Sequence, residues 1–201
     1  MKRAIKNRKH HTEMQRQLAE TAKLVLDRGD CEEPHFSERQ EERLVGMAMW
    51  TAAMRGAVSR DKYTHELQLI PTAEVGTRLV GQFHLLAAGV AIFRGRKRVG
   101  ASEMAVVARV ARDSAPDINE EIVRQLYVQS RDDYVDANQV KEWTRIPWDV
   151  VSNRLRDMEM LGVTQKATGK GAGPGYRLSR AMVRLMSGLD LYAGEKTWRR
   201  R

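Results

Sequence analysis

The stretch from Ala167 to Gly175 reads Ala-Thr-Gly-Lys-Gly-Ala-Gly-Pro-Gly, and it constrains the fold more than any other part of the chain. Four glycines and a proline in nine residues cannot propagate a helix, because glycine loses the most backbone entropy on ordering and proline lacks an amide donor. On either side lie β-compatible runs, Val163-Thr164-Gln165-Lys166 and Tyr176-Arg177-Leu178. The pattern predicts two short strands joined by a flexible, exposed turn.

Upstream of this ribbon the apolar residues recur at helical spacing. Helices are predicted over 118–129, 137–144 and 147–161, with Tyr134-Val135 as a short strand between the first two. Asp136 and Gln139 form a capping box, Pro147 suits a first helical turn, and Gly162 ends the third helix. Ile122, Leu126, Val135, Val140, Ile146, Val151, Leu155, Met158 and Leu161 are the expected core of this three-helix unit. Trp148, Asp149, Ser152, Asn153 and Arg156 are left for the outer face of the third helix.

Before residue 114 the pattern is again helical: 12–27, with Met14, Leu18, Ala22 and Val25 in step; 37–55; 77–94, stopped by Gly95; and 101–114, with Met104, Val107, Ala108 and Ala111 inward. A small hairpin is expected over 57–70. Met47, Met49, Trp50 and Met54 cluster on the 37–55 helix, as a core or as a surface that covers a partner. Ser114-Ala115-Pro116-Asp117 breaks the helical run, and Asp117 with Glu120 opens the next one. These signals divide the chain into a basic helical segment (1–36), a helical domain (37–116), a second domain (117–187) and a basic tail (188–201).

Composition narrows the function classes. With 42 % hydrophobic residues in 201, the chain can bury a core. Its longest apolar stretch, 85–93, is far below the roughly 20 residues of a membrane span. A lone cysteine, Cys31, excludes an internal disulfide, and the N-terminus lacks a secretory signal, so a reducing cytoplasm is expected. The net charge of +9 lies wholly in two acid-free ends, residues 1–11 and 196–201. Inside the body, residues 117–159 hold six basic and ten acidic side chains, whereas 160–187 hold five basic and no acidic ones. One face of the C-terminal half is therefore expected to be electropositive.

Two helices joined by Arg145-Ile146-Pro147 and followed by a glycine-rich ribbon resemble a winged helix-turn-helix over residues 117–187. That resemblance implies DNA contact by the third helix, through Trp148, Ser152, Asn153 and Arg156, because Asn and Arg side chains pair with base edges in a major groove. It also implies phosphate contact by the wing, through Lys166, Thr168, Lys170 and Arg177. Gly169-Lys170-Gly171 is not a phosphate-binding P-loop, since Thr164 stands where the first glycine is needed and Gly171 where Ser or Thr is needed.

Residues 44–114 carry a second resemblance. The helix from Leu44 to Arg55, the stretch Ile70-Pro71-Thr72-Ala73-Glu74-Val75-Gly76-Thr77-Arg78-Leu79, the helix through Ala87, and Gly95-Arg96-Lys97-Arg98-Val99-Gly100-Ala101-Ser102-Glu103 are similar to the lid of AAA+ ATPases of the minichromosome-maintenance and MoxR-like type. The position matching the family's nucleotide-sensing arginine is Arg78. The chain departs from the family in having no Walker A lysine and in carrying Glu103 where an aspartate is usual. The order of lid and then winged helix is also similar to origin-recognition ATPases.

No enzyme is expected. His10 and His11 are adjacent and so diverge on a helix, no ligand pair sits at i, i+4, and Cys31 stands among acids that disfavour its thiolate. No metal, cofactor or nucleophile elbow is foreseen. The expectation is a mainly α, non-catalytic DNA-binding protein, of the replication or transcription-regulation type, with duplex DNA as partner. Two alternatives stand beside it: an assembly module docking on an AAA+ ring, and a small transcriptional regulator that self-associates through its helical half.

Overall fold

A computed structural model of the chain describes residues 32–58, 76–130, 133–167 and 174–192, with the helical positions 13, 15–17, 19, 20 and 23. The helix expected over 12–27 is otherwise outside the described residues. So are the basic ends, Cys31, the hairpin beyond residue 58, and the glycine-rich turn with Thr168 and Lys170.

Among the described residues from 32 onward, seven helices and one two-stranded antiparallel sheet follow in order: α1 (Glu38–Arg55), α2 (Thr77–Phe93), α3 (Ala101–Asp113), α4 (Asp117–Gln129), α5 (Ala137–Thr144), α6 (Trp148–Met160), β1 (Thr164–Ala167), β2 (Gly175–Leu178) and α7 (Arg180–Ser187). The protein is mainly α. No helix among the described residues is long and apolar enough to cross a membrane.

Helix α1 begins where Gln40 reaches back to accept from the Ser37 amide at 2.8 Å, half of a capping box. The same Gln40 donates to the Val99 carbonyl at 2.7 Å, so the cap also fixes the loop between α2 and α3. Beside it the chain entering α1 pairs with that loop: the His35 amide donates to Lys97 O (3.0 Å) and the Val99 amide to His35 O (3.1 Å). Leu44, Met47, Trp50 and Met54 are buried, while Met49 stays exposed. The methionine cluster is thus core except at Met49.

Glu103 anchors the same loop from α3. Its side chain has no exposed surface, yet it accepts from Arg94 Nη1 (2.6 Å), Arg96 Nη1 (3.3 Å), the Gly100 amide (2.8 Å) and Ser102 Oγ (3.0 Å). Burial pushes its carboxyl upward, but these donors outweigh burial and bring it down to about 2, because each favours the charged form.

Pro116 ends the helical run between α3 and α4, but the core does not stop there. A single apolar cluster runs from Leu44 to Tyr192. Asn119 of α4 donates to Met54 O at 2.8 Å, satisfying a carbonyl that the end of α1 leaves unpaired. Within residues 117–161, Ile122, Leu126, Val135, Val140, Val151, Leu155 and Met158 are buried as expected, each fully buried Leu, Ile or Met contributing about 1.5–3 kcal/mol. Ile146 and Leu161 are only half-buried at its rim.

The C-terminal part departs from the expected division. Helix α7 is unforeseen, although Ser179 caps it by accepting from the Met182 amide at 3.2 Å. Residues 188–192, assigned by sequence to the tail, carry the buried Leu189, Leu191 and Tyr192. Leu189 sits against α1 so closely that a Cβ on Gly46 would lie 2.6 Å from its Cδ2. Arg43 of α1 donates to Leu189 O at 3.1 Å and pairs with Asp190 at 3.2 Å. Tyr192 lies 6.0 Å from the Tyr127 ring of α4 and under the Arg112 guanidinium of α3 at 5.7 Å.

Candidate nucleic-acid interface

Helix α6 owes its position to the turn before it. Arg145 closes α5 in the left-handed region (φ 60°) and donates its amide to Lys141 O at 2.7 Å. Thr144 Oγ1 donates to Val140 O (2.8 Å) and accepts from the Ile146 amide (3.2 Å). Pro147 stands outside the helix as its cap residue, with ψ 142°, rather than in the first turn. Val151, Leu155 and Met158, at helical spacing, face inward. Trp148, Asp149, Asn153, Arg154 and Arg156 remain exposed.

Ser152 does not belong to that ridge. It is 7 % exposed, and its hydroxyl accepts from Arg156 Nη2 at 3.1 Å. The physical reason is its place one residue along from Val151, at the edge of the buried stripe, where the longer Arg156 side chain one turn on covers it. Arg156 also hydrogen-bonds the Tyr176 hydroxyl. Burial, first, and then the nearby Glu159 hold that phenol above its ordinary range, since both disfavour the phenolate.

The strands pair Thr164 with Leu178, Gln165 with Arg177, Lys166 with Tyr176 and Ala167 with Gly175. Opposed residues share a face, and alternate positions share it too. Thr164, Lys166, Tyr176 and Leu178 therefore lie on one side. That side is turned to α6, because Thr164 Oγ1 donates to Leu155 O at 3.2 Å. Gln165, Gly175 and Arg177 lie on the other. Val135 adds a single antiparallel bridge to Tyr176, leaving Tyr134 on the Arg177 side, where the guanidinium stacks 4.5 Å from the ring centroid. A Cβ on Gly175 would come 3.1 Å from Tyr134 Cβ, so the ring packs against a position kept free of a side chain.

Tyr176, cross-strand neighbour of Lys166 and hydrogen-bonded to Arg156, sets Arg156 and Lys166 near each other, whereas Trp148 and Asn153 are exposed at other angles on α6 and Arg177 lies on the reverse of the ribbon. Arg78 lies far along the chain, exposed in the first turn of α2. Sequence reasoning passed over Arg145, Arg154 and Tyr134. Tyr134 was foreshadowed by alternation with Val135; Arg145 lay in the recognised turn. Among the described residues no group of three or more His, Cys, Asp or Glu is placed to hold a metal ion.

Compared with known proteins, the chain matches no protein-family model, no curated protein and no solved structure.

Proposed function

We propose that this chain is a non-catalytic DNA-binding protein in which α4, α5, α6 and the ribbon act as a winged helix-turn-helix on duplex DNA. The observation that carries the reading is the proximity of Arg156 and Lys166 around Tyr176, a guanidinium on one helix beside a cation on the adjoining strand, with Asn153 exposed three residues before Arg156. Asn153 and Arg156 offer the donor and acceptor patterns that read base edges, and Lys166 neutralises a phosphate. Thr168 and Lys170 belong to the same wing by sequence. Asp149 and Glu159 repel phosphates near the helix, which leaves the ribbon to grip the backbone while the helix faces the groove.

A binding titration against random duplex at several salt concentrations tests this. Affinity is expected to fall steeply with salt. Lys166→Glu should weaken binding to all sequences and lower the salt slope by about one. Asn153→Ala should mainly blur sequence preference, at a cost of about 1–3 kcal/mol on the preferred site. Unaltered binding in both variants rejects this assignment of faces.

A second reading, assembly on an AAA+ ring or self-association through the lid-like half, draws on the exposed apolar residues of α1 and α2, notably Met49, Leu85 and Phe93. A chain of this kind, stripped of residues 1–11 and 193–201, would show no shift with duplex.

A further inference from the structure

From Leu79 to Phe93 helix α2 carries no Asp, Glu, Lys or Arg, although one side of it faces outward. Gly81, Gln82, Leu85, Gly89 and Phe93 form that exposed side, apolar except at Gln82, with Leu85 72 % and Phe93 56 % exposed. A Cβ at Gly81 or Gly89 would meet nothing within 4 Å. The face is an apolar ridge between two shallow notches, the shape into which another helix packs at close range.

We propose that the occupant is the chain's own segment 12–27, laid along α2 in the same direction. The anchoring of residues 32–36 makes this reachable. Glu32 pairs with Lys97 at 3.4 Å, just beyond the end of α2. Phe36 stacks on His84 of α2 with ring centroids 4.1 Å apart. From residue 27 to residue 32 the chain spans at most about 18 Å, so the end of the segment is within reach of Phe93. In the proposed docking its 16 residues, wound as a helix, would run about 24 Å, against about 25 Å for the 17 of α2.

The polarity of the segment fits as well. Its described helical positions, Glu13, Gln15, Arg16, Gln17, Ala19, Glu20 and Lys23, are all exposed, and Arg16 pairs along the helix with Glu13 and Glu20. At about 100° per residue, these seven leave one open arc, and the sequence puts Met14, Leu18, Ala22 and Val25 in it. In parallel alignment Leu18 meets Leu85 and Ala22 meets Gly89, small against small. A tethered helix also avoids the association entropy that a second copy must overcome.

Cysteine trapping in the full chain tests the arrangement. With Cys31→Ser as background, Leu18→Cys paired with Leu85→Cys should oxidise to an intramolecular disulfide on the order of ten times faster than Gln15→Cys paired with Leu85→Cys. Equal rates overturn the docking, and disulfide-linked dimers as the first product assign the face to a second copy. Leu85→Asp, which removes no core residue, should speed amide exchange over 13–25 on the order of tenfold and leave α4–α6 unchanged. Unchanged exchange over 13–25 overturns the proposal.

Discussion

Replacing Glu103 with Gln removes one charge and one acceptor oxygen from the loop between α2 and α3. With the amide oxygen in the place of Oε2, the bonds from Gly100 and Arg96 survive and so does the helix cap, while the NH2 group in the place of Oε1 no longer accepts from Arg94 or Ser102. A carboxyl that titrates at about 2 folded and near 4.5 unfolded adds about 3 kcal/mol of folding free energy at neutral pH. Arg94 and Arg96 are 37 % and 51 % exposed and rehydrate when the charge is lost, so the variant escapes the full cost of an unpaired buried charge. The expected loss is about 2–3 kcal/mol, or about 5–10 °C in Tm for a chain of this size. The folded value lies below the unfolded one, so this stability is present above pH 4.5 and is lost as pH falls toward 2. More than half is gone by about pH 3. Urea unfolding of both proteins from pH 7 to 2.5 reads the difference, in which other carboxylates cancel. A gap that is absent at pH 7, or that stays constant to pH 2.5, refutes the assignment.

Other changes follow from contacts at single atoms. Gly46→Val drives its side chain into Leu189 and should cost about 1–3 kcal/mol in urea unfolding, with Tyr192 fluorescence changing as the last turn lifts. Asn119→Ala strips the Met54 carbonyl of its buried donor, for about 1–3 kcal/mol by the same assay. Tyr134→Ala unstacks Arg177 at a partly exposed site, so its effect should stay within about 0.5–1 kcal/mol; a larger loss would mean that the ring supports more than the guanidinium.

Helices were legible wherever periodicity met a cap. Asp136 does accept from the Gln139 amide at 2.8 Å, and the break at Pro116 falls between α3 and α4. Helix α7 was equally readable from Ser179 before it and Gly188 after it, but its eight residues lay in the shadow of the ribbon. Ser152 was misplaced because a helical wheel gives an angle, not the reach of the arginine that folds over it. The separation of Lys166 from Arg177 needs the strand register, which a long glycine-rich connection leaves unspecified in sequence. The core shared across residue 116 was invisible, since the partners of Gly46 and Met54 lie 143 and 65 residues on and leave no local pattern.

The seating of Leu189 beside Gly46 has a consequence for biosynthesis. As the polypeptide leaves the ribosome, α1 emerges long before the residues that close over it, and its notch stays wet until position 192 has cleared the exit tunnel. The first three helices therefore wait, partly greasy and open to chaperones, until residues 189–192 have emerged to cover α1.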